Sequence, residues 1–314
     1  MKFELTILGS SSALPTSQRN LTAHMLNVYE RFFLIDCGEG TQIQLRKNKL
    51  RFNRVNHIFI SHNHGDHFYG LFGLLSSFNL LKRTNDLHIY AHKELRKGIK
   101  YIIRNYESHV NYKIIFHELN TEYKEKIFED DKVEVYSFPL SHKIPTSGFL
   151  FKEQQRLPNI KKDYVKKYNI PIKKIKNIKE GADFIKSNGT IIPHTELTLP
   201  PYKARSYAYC TDTSYDRSII PIIRNVDLLY HEATFAEYHA NQAEKTFHST
   251  AKQAATIAKD AGVKTLIIGH FSARYKQVEQ HLSEAKSIFD NTHAAHDGLK
   301  KQITPVRISR NKTK

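Results

Sequence analysis

The motif His62-Asn63-His64-Gly65-Asp66-His67 constrains this chain more than any other feature. The motif directly follows the apolar run His57-Ile58-Phe59-Ile60, so we expect a loop at the carboxyl end of a strand, where α/β folds place their sites. Alternate residues of an extended segment point the same way, so the first two histidines can bind one metal ion, while the aspartate and the last histidine bind a second. Four ligand-type side chains within six positions therefore predict a metal centre.

Further ligands are expected at the ends of other strands, because four residues cannot complete two metal sites that each keep an open position. Three residues of ligand type follow other apolar runs: His142 after Val133–Phe138, Asp212 after Ser206–Tyr209, and His270 after Thr265–Ile268. One such histidine carries little information in a chain that contains 18 of them. As a set, they bring the candidate ligands to seven and leave Asp212 free to bridge two ions.

Short β-branched and aromatic runs with turn residues between them predict many strands. We predict strands over Leu5–Leu8, His24–Tyr29, Phe32–Ile35, His57–Ser61, Leu87–Ala91, Lys113–Phe116, Val133–Phe138, Gly148–Phe151, Ser206–Tyr209, Leu228–Tyr230 and Thr265–Ile268. The clearest helix follows the capping box of Thr250 and Gln253 and ends at Gly262, and a second covers Val278 to Phe289. Because strands outnumber helices, we expect an α/β fold of two packed sheets covered outside by helices.

The charge balance of the chain favours a polyanionic partner. Its 314 residues allow one large domain or two ordinary ones, and they carry a formal net charge of +17. Such a charge fits nucleic acid or an anionic membrane surface, and a lysine-rich proteome is the alternative explanation. The segment from Lys161 to Lys186 contains nine lysines against three acidic residues and few large apolar side chains. We interpret this segment as a basic, protruding or mobile arm, with a solvated surface helix as the alternative.

Other features predict a reducing compartment and no membrane segment. Cys37 and Cys210 are the only cysteines and form no CxxC pair, so neither a disulfide framework nor a cysteine-based metal site is supported. Glu4 lies where a signal peptide would need apolar residues, and the most apolar window, Phe68 to Leu81, is too short to span a bilayer. No amphipathic helix with a basic face and aromatic anchors supports a membrane-surface binder. We therefore expect a cytoplasmic protein.

Several further motifs run through the whole chain in a fixed order. They are Leu8–Thr16, Asp36–Gln42, His62–His67 with Gly70–Leu75, Phe138–His142, His231–Phe235, His248–Thr250 and His270–Tyr275. In these motifs the chain resembles the ribonuclease Z branch of the metallo-β-lactamase superfamily. The first histidine cluster specifies only the superfamily, which also contains thioesterases, lactonases, sulfatases and β-lactamases. The segments that begin at His231, His248 and His270 are far more restrictive.

The resemblance implies a single metallo-β-lactamase-fold domain over residues 1–314, an αββα sandwich with an inserted basic, tRNA-binding arm at about 155–190. It implies two Zn²⁺ per subunit, one bound by His62, His64 and His142, the other by Asp66, His67 and His270, with Asp212 as the bridge. The implied activity is a zinc-dependent endoribonuclease that removes 3′ trailers from precursor tRNA. The family also implies a homodimer in which the arm of one subunit presents tRNA to the other.

The resemblance assigns the remaining roles as well. Asp66 is the family's general base, and His248, held by Glu232, is the candidate that protonates the departing 3′ oxygen. A tRNA 3′-hydroxyl and a 5′-phosphorylated trailer would result. Without the resemblance, His248 would be interpreted as a helix N-terminal residue with no role. Lys203 and Arg205 belong to the loop that faces the tRNA 3′ end in the family.

Two departures from the family pattern affect tRNA contacts. Ser206 stands where the family has Asn, which leaves open whether CCA-bearing precursors are cut, and the arm contains no Gly-Pro motif. Two rival interpretations also stay open. A small-molecule hydrolase of this fold would have a neutral or acidic site rim and no basic arm, and a metal-free RNA-binding scaffold would have lost ligands. His and Asp ligands also accept manganese or iron.

Overall fold

The computed structural model describes residues 2–106 and 110–309, which divide into two compact units. The first unit consists of residues 2–152 and 206–303, and the second of residues 153–205 and 304–309. Apolar side chains form separate buried clusters in the two units, so each unit has a core of its own.

Strands and helices follow the order that the apolar runs predict. The strands are β1 (Phe3–Gly9), β2 (Ser11–Ser12), β3 (Ala23–Val28), β4 (Arg31–Ile35), β5 (Val55–Phe59), β6 (Leu87–Ala91), β7 (Ile114–Glu118), β8 (Glu125–Glu129), β9 (Val133–Leu140), β10 (Thr146–Glu153), β11 (Asn159–Ile160), β12 (Phe184–Ile185), β13 (Ile191–Ile192), β14 (Thr198–Leu199), β15 (Ser206–Cys210), β16 (Leu228–Glu232), β17 (Leu266–Gly269), β18 (Phe271–Ser272), β19 (Thr292–Ala294) and β20 (Lys300–Gln302). The helices are α1 (Thr41–Lys47), α2 (Gly65–Leu80), α3 (Lys93–Tyr106), α4 (Lys162–Lys167), α5 (Ile172–Lys179), α6 (His194–Leu197), α7 (Ala240–Thr246), α8 (Ala251–Asp260) and α9 (Glu279–Lys286). Each strand predicted from the sequence overlaps an observed strand, and both hydrogen bonds of the capping box of α8 are present.

Within the described residues, two seven-stranded sheets form the framework of the first unit. The strand order is β20-β1-β3-β4-β5-β6-β7 in one sheet and β19-β17-β16-β15-β10-β9-β8 in the other. Strands β4 to β7 run parallel, and so do β15, β16 and β17. The carboxyl ends of parallel neighbours meet at one edge of a sheet, so the loops that follow these strands are brought together.

The sheets pack against each other and carry helices on their outer faces, which confirms the predicted αββα sandwich. Alternate residues of β4 show the arrangement. Phe33 and Ile35 lie in the core that includes Phe149 and Phe151 of the other sheet, whereas Leu34 belongs to the cluster that includes apolar residues of α2 and α3. A strand that is buried on both faces has a continuous apolar sequence, as β4 does. Among the helices in the described ranges, none combines the length and apolar content needed to cross a bilayer.

The second unit contains the lysine-rich segment and has a small apolar core. Ile170, Ile178, Ile192 and Leu197 are buried there, next to α4, α5 and α6. This corrects the expectation that the segment from Lys161 to Lys186 has few large apolar residues to bury. Ile170 and Ile178 of the segment face inward, whereas Ile172 and Ile185 are exposed, as are most of its lysines. The unit includes the range 155–190 predicted for the inserted arm, and tRNA binding by that arm stays a prediction.

Arg205 lies in a buried ion pair within the second unit. Its side chain is 2% exposed, Nη2 donates to Oε1 of Glu153 at 2.6 Å, and Nε donates to Oε2 at 2.9 Å. The backbone N–H of Arg205 donates to the same Oε2 at 2.9 Å. The buried, bidentate pair turns the guanidinium toward Glu153. The predicted contact of Arg205 with substrate stays a prediction. Lys203, in the same loop, is exposed.

We predict that Glu153→Gln lowers the free energy of unfolding by about 3–5 kcal/mol, because the amide leaves the buried Arg205 charge without its counter-charge. Urea denaturation followed by circular dichroism measures the change. Glu129→Gln removes one partner of the exposed pair between Lys126 and Glu129 and serves as the control, with an expected change below about 1 kcal/mol. Equal stability of the two variants would contradict the prediction.

Candidate metal centre

The candidate ligands follow the carboxyl ends of strands in the first unit. His62 and His64 follow β5, and His64 directly precedes α2, whose first turn contains Asp66 and His67. Three more residues lie just past other strands: His142 after β9, Asp212 after β15 and His270 after β17. The structure therefore brings together all seven residues that the sequence proposed as ligands.

The first group consists of His62, His64, His142 and Asp212, and its ligand atoms lie within 4.8 Å of one another. Nδ1 of His64 is 2.9 Å from Nε2 of His62 and 3.4 Å from Nε2 of His142. Oδ2 of Asp212 lies 3.5 Å from Nε2 of His62 and 3.8 Å from Nε2 of His142. Three imidazole nitrogens and one carboxylate oxygen thus face a common point.

The second group consists of Asp66, His67 and His270. Nε2 of His67 lies 3.3 Å from Nε2 of His270, and Oδ2 of Asp66 lies 3.4 Å and 3.6 Å from these two nitrogens. Oδ1 of Asp212 lies 3.2 Å from Nε2 of His67 and 3.1 Å from Nε2 of His270. Asp212 therefore presents one carboxylate oxygen to each group, which is the arrangement of a bridging ligand.

The donor set fits a metal cofactor. Neutral imidazole has one donor and one acceptor nitrogen, so inward-facing ring nitrogens 2.9–3.4 Å apart leave lone pairs that a cation would satisfy. Burial lowers the pKa of His67, but the carboxylates of Asp212, Asp66 and Asp36 raise it well above its ordinary value. Positive charge is therefore favoured at this point. Imidazole and carboxylate ligands without thiolates suit zinc and its first-row neighbours.

Asp36 orients this centre, although the sequence named it only as the first residue of the motif Asp36–Gln42 and gave it no role. Its Oδ2 accepts hydrogen bonds from Nδ1 of His67 at 2.8 Å, from the Ser61 hydroxyl at 2.9 Å and from the Tyr209 hydroxyl at 2.6 Å. Its Oδ1 accepts from the Ser61 backbone N–H at 2.7 Å. A carboxylate on the outer nitrogen of a ligand histidine fixes the tautomer and aims the inner nitrogen at the metal. Its position in the sequence could have indicated such a role, because Asp36 comes directly after the strand β4, just as the ligands come after other strands.

Other ligand histidines are also held through the ring nitrogen that faces away from the centre. Nδ1 of His142 donates to the Phe247 carbonyl at 2.9 Å, and Nδ1 of His270 lies 3.0 Å from the Thr234 hydroxyl. Nδ1 of His62 lies 2.9 Å from the Ser61 hydroxyl. These contacts restrict ring rotation, so the inner nitrogens are oriented by the protein itself.

The backbone is strained at three residues of the centre. Asp36, Asp212 and His270 have φ values of 55°, 41° and 59°, in the left-handed region that non-glycine residues rarely adopt. Such conformations persist only where surrounding contacts determine them, and they concentrate at functional sites. Each of the three lies just after the end of a strand, and its left-handed conformation turns the side chain toward the centre.

His248 and Glu232 form a pair beside the centre. Nδ1 of His248 donates to Oε1 of Glu232 at 2.8 Å, and backbone N–H groups of Thr213 and Thr234 donate to the same carboxylate, each at 3.0 Å. Burial lowers the pKa of His248, but Glu232 more than offsets this and raises the pKa to about 9. A ligand-type nitrogen of His248 lies within 4.8 Å of ligand atoms of Asp212 and His270. A protonated imidazole is therefore held next to the cluster at neutral pH.

A cavity of about 580 Å³ opens onto this centre within the first unit. His64, Asp66, His142, Asp212 and His248 contribute to its lining. The side chains that bear charge in the centre can therefore be reached from solvent, which a purely structural metal site would not need.

The chain is similar to known proteins over nearly its whole length. The family model described as Anti-Pycsar protein Apyc1 matches residues 3–293. A ribonuclease Z of Bacteroides thetaiotaomicron is 48% identical over 298 residues, covering 95% of this chain and 94% of the relative. The crystal structure of the short form of human tRNase Z superposes with a TM-score of 0.71 at 26% identity, over 96% of this chain and 99% of that one. The metallo-β-lactamase fold protein YhfI of Bacillus subtilis, at 17% identity, covers 96% of this chain and 100% of its own with a TM-score of 0.69, and this likeness shows the fold alone.

We predict that Asp36→Asn weakens metal binding about 10- to 100-fold, because an amide cannot replace all the acceptor contacts of the carboxylate or its charge. Competition with a chromogenic chelator measures the affinity for Zn²⁺. Asp131→Asn, at an exposed carboxylate, is the matched control and should bind as the parent protein does. Unchanged affinity in Asp36→Asn, with native circular dichroism, would contradict the assigned role of Asp36.

Proposed function

The chain belongs to the family described as Anti-Pycsar protein Apyc1 and, by whole-length identity to curated relatives, to the ribonuclease Z proteins, and on that basis we propose its reaction. It is a metal-dependent endoribonuclease that removes 3′ trailers from tRNA precursors. The observation that carries this proposal is the pair of ligand groups that share Asp212 and have His248 beside them.

We assign two Zn²⁺ per subunit to the centre. His62, His64 and His142 would hold one ion, Asp66, His67 and His270 the other, with Asp212 shared between them. When bound, such a pair lowers the pKa of water and neutralises charge on a phosphate oxygen. The proposal is supported by the separate oxygens of Asp212, one of which faces each histidine group.

Asp66 orients the attacking water and accepts its proton. Its carboxyl is held on one side by the backbone N–H of Ala13, which donates to Oδ2 at 2.8 Å. Burial raises the pKa of Asp66, but His67 and His270 outweigh this and hold the pKa well below its usual range. The group is therefore ionised at neutral pH, as a proton acceptor must be.

His248 supplies a proton to the departing 3′ oxygen of the tRNA. Without that proton the leaving group would be an alkoxide, which is a poor leaving group at neutral pH. Glu232 keeps His248 protonated and fixes its orientation through Nδ1, leaving Nε2 for the substrate. The products are a tRNA with a 3′-hydroxyl and a trailer with a 5′-phosphate.

The second unit supplies the tRNA-binding arm in this proposal. Lys162, Lys166, Lys173 and Lys174 are exposed, and Nζ of Lys186 lies 4.6 Å from the Tyr168 ring centroid. Lys203, on the loop after β14, adds a further exposed charge. Phosphate contacts of this kind position a folded RNA by its shape, since A-form helices are poorly read in sequence. The basic arm also favours the endonuclease over a small-molecule hydrolase of the same fold.

We further propose a homodimer in the cytoplasm, in which the arm of one subunit presents tRNA to the metal centre of the other. A reducing compartment agrees with the two buried cysteines, Cys37 and Cys210, which form no disulfide. Burial raises the pKa of the Cys37 thiol to about 12, so it is also a poor metal ligand or nucleophile.

The first prediction of this proposal is a single cut in a 3′-extended precursor tRNA, next to the discriminator base. End mapping should find a 3′-hydroxyl on the tRNA and a 5′-phosphate on the trailer. Asp66→Ala should reduce the rate by at least about 1,000-fold, since it removes both a ligand and the proton acceptor. An intact transcript, together with turnover of a small phosphodiester or ester, would assign the centre to small-molecule hydrolysis instead.

The second prediction concerns pH. Because the pKa of His248 is raised to about 9, its proton is present below that pH, and kcat should fall as pH rises through about 9. Glu232→Gln removes the carboxylate that raises the pKa, so the alkaline limb should move down by about one to two pH units. Glu244→Gln, at an exposed position on α7, is the control and should keep the parent profile. An unshifted limb in Glu232→Gln would contradict this role of the pair.

The third prediction tests the arm. Replacing Lys166, Lys173 and Lys174 together with Gln should raise KM for precursor tRNA at least tenfold with little change in kcat. The slope of log KM against log salt should also decrease by about one unit for each phosphate group that is no longer bound. A control variant with Gln at Lys113, Lys286 and Lys300, which are exposed in the first unit, has the same charge change. Equal effects in both triple variants would mean that net charge alone, and not the arm, governs binding.

A further inference from the structure

An exposed apolar pair lies on the cavity of the metal centre, and the proposed chemistry does not use it. Leu14 is 64% exposed and Tyr69 is 60% exposed, and both line the same cavity as Asp66 and His248. Leu14 belongs to the motif Leu8–Thr16, of which the reaction described above uses only the backbone N–H of Ala13. Exposed apolar side chains that adjoin a functional cavity, with polar groups around them, are typical of a ligand contact.

The backbone holds Leu14 in its exposed position. Ala13 adopts the left-handed conformation, with φ of 57°, and its N–H donates to Oδ2 of Asp66 at 2.8 Å. The Leu14 carbonyl accepts from the Ser11 hydroxyl at 2.8 Å, and the Leu14 N–H donates to the Ser12 carbonyl at 2.6 Å. The loop is therefore tied to the metal centre through Asp66, and the exposure of Leu14 is part of a fixed geometry.

Tyr69 is fixed against the histidine motif itself. A Cβ atom added at Gly65 would lie 2.2 Å from Cε2 of Tyr69, so the ring packs directly on the Gly65 backbone. The ring of Phe68 contacts it edge-on, with centroids 4.8 Å apart. The ring is thus pre-oriented on the first turns of α2, next to Asp66, while most of its surface stays in solvent.

We propose that Leu14 and Tyr69 form a platform on which the first nucleobase of the trailer stacks. A nucleobase is the ligand that presents a flat, apolar face while its attached phosphate enters a charged site. Lys143 lines the same cavity and is exposed, so it supplies a positive charge for the phosphate backbone. Stacking on an aromatic ring tolerates any base, which suits an enzyme that must accept many trailers.

The assignment to the trailer side rests on the proposed function and on the geometry of in-line displacement. His248 protonates the departing 3′ oxygen, so the last nucleotide of the tRNA lies on the His248 side. Water enters opposite that oxygen, on the side of Asp66. The platform is attached to the Asp66 side through Ala13 and Gly65. The trailer's 5′ oxygen stays bonded to phosphorus and is not apical, so the trailer can turn toward the Asp66 side. We therefore assign the base on the platform to the first nucleotide of the trailer.

The experiment pairs protein variants with precursor tRNAs that lack one base. Single-turnover kcat/KM is measured for the parent protein and Tyr69→Ala on an intact precursor, on one that is abasic at the first trailer nucleotide, and on one that is abasic at the discriminator. We expect Tyr69→Ala to lose about 5- to 100-fold on the intact substrate and on the discriminator-abasic one, and less than twofold on the trailer-abasic one. Leu14→Ala should show the same pattern at smaller amplitude, and Tyr69→Phe should keep the parent rate.

Tyr123→Ala removes a tyrosine of similar exposure, 57%, outside this cavity and is the matched control, expected to cleave all three substrates as the parent does. Equal losses for Tyr69→Ala on all three substrates would overturn the platform. So would a loss that disappears only on the discriminator-abasic substrate, because the stacked base would then belong to the tRNA side. Failure of the parent protein to cleave any precursor would instead contradict the proposed function, so the two failures are distinguishable.

Discussion

The carboxylate of Asp212 is the contact on which the rest of the site depends. Its two oxygens lie 3.1–3.8 Å from four imidazole nitrogens that belong to two separate groups. Those nitrogens come from loops on both sheets, so the centre lies where the edges of the sandwich meet. Without the carboxylate of Asp212, the inward-facing ring nitrogens would lose the one acidic group that both histidine groups share.

Two buried carboxylates next to the ligands, those of Asp36 and Glu232, determine what their neighbouring histidines can do. Asp36 is buried, accepts four hydrogen bonds and holds His67 through its outer nitrogen. Glu232 accepts three hydrogen bonds and holds His248 in its protonated form. One carboxylate thus makes a histidine a better ligand, while the other makes a histidine a proton donor. The two roles differ because Nε2 of His67 faces the other ligands, whereas Nε2 of His248 is left for the substrate in the proposed reaction.

The fold explains why these residues converge although they are far apart in the chain. Parallel strands β4 and β5 in one sheet and β15, β16 and β17 in the other end at the site. Left-handed backbone at Asp36, Asp212 and His270 then turns each loop inward. The exposed pair of Leu14 and Tyr69 is attached to the same framework, because Ala13 bonds Asp66 and the Tyr69 ring packs on Gly65.

The strands, the capped helix α8 and the seven candidate ligands could all be predicted from the sequence, because hydrophobic runs, capping residues and ligand types are local properties of the chain. Glu232 and His248 were also indicated there, through motifs shared with a family. The role of Asp36 in orienting His67 became visible only in three dimensions, since the partners of Asp36 are 25 or more residues away. The same is true of the pairing of Arg205 with Glu153, 52 residues earlier, and of the apolar core in the lysine-rich segment. Burial and long-range pairing depend on which segments meet in space, and no local pattern of residues specifies that meeting.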